Sequence, residues 1–341
     1  IYESCSQIRG NVPLFKIFKM ARILTGVQST GTPHLGNLLG AVLPAIEMAK
    51  ETSDDSFLFI ADLHSLTQIK KGDTLRDNTL STAATWLACG LDLEKTHFYK
   101  QSDVSEVAEL TWYLNCFFPY QRLTLAHSFK DKSEELSDVN TGLFTYPMLM
   151  AADILLYDAE IVPVGKDQLQ HLEITRDVAS RFNHQMGETF VIPEAKIQAA
   201  TQYVPGTDGQ KMSKSKKNTI DVFLPEKNLR KQIMSIQTDS VPIDDPKNPE
   251  TCNVFALYSI LASKPETDIL KDKYLLGGLG YGQAKQELFD LILTRFSDER
   301  NKYNYFIQNP TVVNLALSKG AEKARKVAKE VLLRVRKKIG Y

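Results

Sequence analysis

His34, Leu35, Gly36 and Asn37 fall just past an apolar run and at the head of an amphipathic stretch, within TGVQSTGTPHLGNLLGA (residues 25–41). An imidazole beside a glycine at such a turn suits an anion. A helix start offers N–H groups and a positive dipole end, and Gly36 lets a ligand approach the backbone closely. Thr32 is expected to cap that helix, with Pro33 in its first turn. The spacing differs from G-x-x-x-x-G-K-[ST] and from G-x-G-x-x-G, so neither a P-loop nor a dinucleotide fingerprint is present. A basic segment follows far down the chain, GTDGQKMSKSKKN (206–218), where Lys211, Lys214, Lys216 and Lys217 crowd between Gly and Asp turn residues. Taken singly, the two segments read as a capped helix with a surface histidine and as a solvated charge run. As partners, the first segment offers a histidine that could donate to a phosphoryl oxygen and the second a mobile basic loop. Asp153 is the third candidate, because it stands inside the apolar YPMLMAADILLYDA (146–159). A carboxylate buried there must be paired, by a structural donor or by a ligand N–H.

The elements that hold these residues alternate. RILTGV (22–27) reads as a strand, and Leu35, Leu38, Leu39, Val42, Ile46 and Ala49 recur at helical spacing behind it. SFLFIADLH (56–64) contains a buried strand, 73–90 a helix ending at Gly90, and THFYKQS (96–102) a third strand. A helix around 105–117, the apolar helix 146–159 and a strand EIVPVG (160–165) follow. Such alternation implies a parallel sheet covered by helices. After residue 218 strand signals fade and helices dominate. Asp167, at the turn after 160–165, can cap the next helix.

The chain of 341 residues carries 41 Lys plus Arg and 41 Asp plus Glu, so a polyanion must be met by a local patch and not by the whole surface. One such patch is Lys319–Tyr341, with nine Lys or Arg against two Glu and an apolar stripe of Ala324, Ala328, Val331, Val335 and Ile339. The four cysteines stand far apart without C-x-x-C spacing, which speaks against zinc or a disulfide framework and for a reducing cytoplasm. No long uncharged apolar run marks a membrane span and no signal-peptide core follows the start. Residues 1–19 lack periodicity and read as an extension that need not be native, before a natural-looking start at Met20.

K-M-S-K-S paired with H-L-G-N on a strand-to-helix turn is the signature pair of class I aminoacyl-tRNA synthetases, which this sequence resembles over residues 21–341. The stretch 146–183 and IADLHSLT (60–67) resemble the tryptophanyl branch in its bacterial form. Asn37 departs from the fourth position of the H-I-G-H pattern, a variation that the tryptophanyl branch tolerates. The resemblance implies an α/β fold: a Rossmann-like parallel-sheet catalytic domain (20–218) followed by an α-helical tRNA-binding domain (219–341) that reads the anticodon.

It also implies a reaction: L-tryptophan attacks the α-phosphorus of ATP, pyrophosphate leaves, and the aminoacyl group passes to tRNA(Trp). His34, Lys211 and Lys214 would be the catalytic residues. Gln28, Ser29, Thr30, Gly36 and Asn37 would hold ATP from the first turn, and Gly165, Lys166 and Asp167 from the turn after the fourth strand. Val204 would touch adenine through its main chain, and Met212, Ser213 and Ser215 would complete the lysine loop. Asp153 would accept the indole N–H, with Met150 against the ring and Tyr146, His64 and Gln168 around the amino acid. Lys132 falls where the family has a mobile lysine near the triphosphate. Mg²⁺ would accompany ATP with few protein ligands; no protein-held metal and no tightly bound cofactor are expected. A homodimer built through the sheet domain is expected, its contact suggested by the apolar stretches 75–90 and 146–157. The competing readings are a tyrosyl-specific synthetase, a nucleotidylyltransferase and a noncatalytic RNA-binding relative.

Overall fold

The computed structural model describes residues 21–51, 55–124, 139–165, 168–197 and 203–341. Five strands form one parallel sheet in the order β3-β2-β1-β4-β5: β1 (Arg22–Val27), β2 (Asp55–Ile60), β3 (Thr96–Lys100), β4 (Ile161–Val164) and β5 (Glu194–Ile197). Ile23 and Leu24 in β1 and Phe57 to Ile60 in β2 are buried in consecutive positions, as strands covered on both faces must be. β5 carries no such signal, since EAKI is a short edge segment with a charge at every second position.

Helices fill the crossovers. The segment after β1 starts as α1 (Leu35–Asn37), passes through a π-helical turn (Leu38–Val42) and continues as α2 (Leu43–Glu51). Between β2 and β3 lie α3 (Asp62–Ser65) and α4 (Gly72–Ala88). A 3₁₀ turn (Gln101–Asp103), α5 (Glu106–Phe117) and α6 (Tyr120–Leu123) follow β3. α7 (Thr141–Leu155) leads into β4, and Asn140 caps it by accepting from Leu143 N at 3.1 Å while donating to Thr67 O. α8 (Leu169–Met186) joins β4 to β5. The chain then becomes helical: α9 (Glu226–Met234), α10 (Asn253–Leu261), α11 (Lys264–Leu276), α12 (Tyr281–Arg295), α13 (Ser297–Gln308) and α14 (Pro310–Ile339).

The basic C-terminal helix returns to the sheet. α14 lies along β3, so close at Gly320 that a Cβ there would collide with the Phe98 carbonyl oxygen. Ala324, Ala328, Val331 and Val335 are buried in the same core as Phe57, Tyr99 and Val162. Three of its cations are engaged in this docking: Arg325 pairs with Glu106, Arg334 with Asp158 and Arg336 with Glu109. The apolar stretches that suggested a subunit contact are also covered within the chain. Thr79, Ala83, Ala84 and Trp86 of α4 are buried and α4 packs on α13, while α7 is buried from Ala151 to Leu155. The large apolar side chains left exposed are elsewhere, among them Trp112 (68%) and Tyr120 (67%).

Candidate active site

The order β2-β1-β4 reverses the direction of winding at β1, and a cavity of about 860 Å³ opens there beyond the carboxyl ends of the strands. Leu24, Gly26, Val27 and Gln28 reach it from β1, Phe59 and His64 from β2 and α3, Val162, Val164, Gly165 and Gln168 from β4 and its turn. α7 closes it with Tyr146, Met150 and Asp153, side chains that line one cavity because they follow each other at three- and four-residue steps. Gln28, His64, Tyr146, Met150, Asp153, Gly165 and Gln168 thereby line one cavity.

Asp153 is buried and partnered. Gln101 Nε2 donates to its Oδ1 and Oδ2 at 2.8 and 2.9 Å, and His64 Nε2 lies 2.9 Å from Oδ2. Burial raises its pKa above the ordinary carboxylate value, against the opposing pull of His64 and Gln101. Neither donor is an arginine or a backbone group, and Gln101, deep in the chain at 1% exposure, escaped the sequence reading. Tyr146 Oη pairs with His171 Nε2 at 2.8 Å, so the phenol on this wall is also fixed.

At the first turn the histidine, and not Thr32, is the cap. His34 Nδ1 accepts from Asn37 N at 3.3 Å, and the Asn37 side chain accepts from His34 N at 3.2 Å, a reciprocal capping box. This choice of Nδ1 as acceptor leaves Nε2 as the protonated nitrogen. The first helical amides are already engaged: Leu35 N with Ile220 O (2.7 Å) and Gly36 N with Met212 Sδ (3.3 Å). Donation to a phosphate here would therefore fall to the imidazole and nearby lysines instead of to free helix amides. Burial, and then the positive charge of Lys214, push the His34 pKa down to about 4, so at neutral pH the ring is an uncharged N–H donor.

The lysine segment is a hairpin. Pro205 and Lys211 form an antiparallel bridge, Met212 N donates to Val204 O, and Gly206 N to Gln210 O. Buried Asn218 ties it together, accepting from Ser213 N (2.8 Å) and donating to Asp208 and to Lys211 O. Lys214 passes over Gly31, whose backbone has φ +128° and whose absent Cβ would lie 3.3 Å from Nζ. Partial desolvation lowers the Lys214 pKa, and burial pushes Asp221 up to about 6 against the attraction of Lys214. All four lysines of the segment are exposed residues, yet Lys214 belongs to the first turn in space through its place over Gly31. Asn218 was missed because its hydrogen bonds reach across the hairpin, and only its place at the end of the basic run marked it.

Other expected nucleotide contacts are distributed unevenly. Ser29 turns into the core, its Oγ 3.2 Å from Ser65 Oγ and accepting from Thr79, so a contact with a ligand would use its main chain. Thr30 and Asn37 are exposed. Val204 is buried with its carbonyl occupied by Met212 N. Met212 packs inward under Gly36, and Ser213 bonds Ser215 at the surface. Lys132, Lys166 and Asp167 lie outside the described residues, as do residues 1–19. Among the described residues no group of three or more His, Cys, Asp or Glu is placed to hold a metal ion, and no helix is long and apolar enough to cross a membrane.

A family profile described as tRNA synthetases class I (W and Y) matches residues 19–297. The tryptophan–tRNA ligase of Campylobacter jejuni is 46% identical over 94% of this chain and 99% of its own, and that of Fusobacterium nucleatum 46% identical over 94% and 98%. The crystal structure of the Campylobacter jejuni tryptophanyl-tRNA synthetase complexed with ADP and tryptophan covers 94% of this chain and all of its own, with a TM-score of 0.91 at 45% identity. A tyrosyl-tRNA synthetase from Archaeoglobus fulgidus shares the fold alone, at 18% identity and a TM-score of 0.61. With a histidine and a lysine gathered at one strand-to-helix turn and a carboxylate on the wall of the neighbouring cavity, the chain belongs to the class I tRNA synthetases of the W and Y family.

Proposed function

We infer that the cavity takes L-tryptophan and that the turn and hairpin above it take ATP. The chain is a tryptophan–tRNA ligase: it joins tryptophan to ATP as the adenylate, releases pyrophosphate, and transfers tryptophan to tRNA(Trp). The observation that carries this reading is Asp153, a buried carboxylate at the wall of an otherwise largely apolar cavity. Its remaining lone pairs suit an indole N–H, and Met150 beside it suits the ring. MgATP is the nucleotide substrate. His34 Nε2–H, Lys211 and Lys214 would stabilise the charge that grows as the carboxylate of tryptophan attacks the α-phosphorus and pyrophosphate departs. Gln28, Gly165 and the main chain around Ser29 would hold the nucleotide, and Tyr146 and Gln168 the amino group. No protein nucleophile is needed, since the substrate carboxylate attacks.

The test is pyrophosphate exchange into ATP. Exchange should depend on tryptophan, and tyrosine at the same concentration should support little; equal exchange with tyrosine would remove the assignment. We place the enzyme in a reducing cytoplasm, which suits the three cysteines described, Cys89, Cys116 and Cys252, all of them free.

The assembly we propose is a homodimer. Trp112 on α5 and Tyr120 on α6 are exposed apolar side chains, Tyr120 with its ring centroid 5.4 Å from that of Phe144, and a second subunit would cover them. Light scattering at micromolar concentration should return twice the 38.4 kDa chain mass, and Trp112→Glu should reduce it to one. A single chain mass for the unsubstituted protein would exclude the dimer.

A further inference from the structure

Gln101 stands at the start of the 3₁₀ turn after β3, outside every motif, yet it joins three elements behind Asp153 of the cavity wall. Its Oε1 accepts from Leu63 N at 3.1 Å and from His64 N at 3.4 Å, both on α3. Backbone amides can only donate, so they fix which end of the side-chain amide faces them. The amino end is then forced toward α7, where it meets both oxygens of Asp153. The turn is itself clamped to α3, because Asp62 Oδ1 accepts from Ser102 N (3.0 Å) and Leu63 N (3.1 Å), and Oδ2 from Ser102 Oγ. A rotation of Gln101 would bring its carbonyl against the Asp153 carboxylate and its amino group against two N–H donors, so neither end is free to exchange.

We propose that Gln101 is a positioning residue for tryptophan recognition: locked by the Leu63 and His64 amides, it obliges Asp153 to remain an oriented hydrogen-bond acceptor for the indole N–H. This rests on the reading that the cavity holds tryptophan. With Gln101 and His64 both engaged, the carboxylate is held in one rotamer and offers its open lone pairs to the cavity. A ligand edge that can only accept finds no partner there. The ionisable groups around Asp153 are His64 and Asp62 from α3, Tyr99 from β3 and Tyr157 just past α7. Gln101 is the neutral member of this set, so it supplies a donor without adding a charge that titrates.

The experiment is tryptophan-dependent pyrophosphate exchange across pH 5.5–9 with the unsubstituted protein, Gln101→Met and Gln101→Glu. Methionine keeps the volume and removes the donor. The KM for tryptophan should rise about tenfold or more, the KM for ATP should stay within about twofold, and the acid limb should move to higher pH as the carboxylate protonates more readily. The Gln101→Glu variant should behave in the opposite sense. One proton shared between the introduced carboxylate and Asp153 restores a donor at low pH, and two facing carboxylates at high pH raise the KM. An unchanged KM for tryptophan and an unmoved acid limb in Gln101→Met overturn the role of Gln101 while leaving the tryptophan site standing. Equal increases in both KM values without any pH shift reveal a packing lesion and overturn it too. Absence of tryptophan-dependent exchange in the unsubstituted protein instead overturns the reading of the site. Should Gln101→Met lose its helical circular dichroism, the Gln101→Glu variant decides by the direction of its pH dependence.

Discussion

Lys214→Ala should lower the single-turnover rate of adenylate formation by about 2 to 4 kcal/mol of barrier, the range for losing one preorganised donor at developing charge. The physical ground is placement. Lys214 lies over Gly31 and is close enough to His34 to help push that imidazole down to about 4. The turn thus has one lysine and one neutral donor, and the charge on departing pyrophosphate has no equivalent substitute when the ammonium is removed. Lys211 stands at the foot of the hairpin, where its backbone pairs with Pro205 and Asn218, and Lys211→Ala should act in the same direction. Lys216→Ala and Lys217→Ala, outside the K-M-S-K-S signature, should change the rate by less than about threefold. Tryptophan affinity should be nearly constant through the series, because the lysines would face the phosphates. Rapid-quench measurement of the four variants checks this, and equal losses in all four would describe a diffuse electrostatic patch instead.

Asp153→Ala should reduce kcat/KM for tryptophan by about a hundredfold or more while leaving the KM for ATP within about threefold. Removing the carboxylate deletes the acceptor and leaves the Gln101 amino group, which cannot turn away, facing an empty volume. A lost hydrogen bond to a charged group and an unpaired buried donor cost about 1 to 3 kcal/mol each. The pH dependence has a definite sign. Burial raises the folded-state pKa of Asp153, so on acidification it takes up a proton earlier than an ordinary aspartate would. Tryptophan binding should accordingly weaken as pH falls through that raised value, and Asp153→Ala should lose this acid limb. Equilibrium binding of tryptophan from pH 8 downward measures both effects. An alanine variant that binds tryptophan as tightly as the unsubstituted protein would mean that the indole N–H points elsewhere.

What could be read before folding was set by local patterns. Apolar runs of strand length alternating with helical periodicity from Arg22 to Val164 predict a parallel sheet, since each run must be covered on both faces. H-L-G-N and K-M-S-K-S marked two candidate phosphate-binding segments by residue type, and a carboxylate within MLMAADILLY had to be paired wherever it lay. Which groups pair is a different kind of question, because it depends on contacts between residues far apart in the chain. Gly36 N finds Met212 Sδ across 176 positions, and that contact, not the turn alone, removes a helix amide from the site. Asp153 meets Gln101 52 residues away, and Ser29 is drawn into the core by Ser65 and Thr79. Periodicity likewise announces that a helix has an apolar face without saying what covers it. α14 carries a basic amphipathic pattern that suits a polyanion, yet the absence of a side chain at Gly320 lets it press onto Phe98 and pair three arginines with the sheet domain. Hydrophobic pattern is a property of neighbours in sequence; hydrogen-bond partners and covering surfaces are properties of neighbours in space, and only the folded chain brings those together.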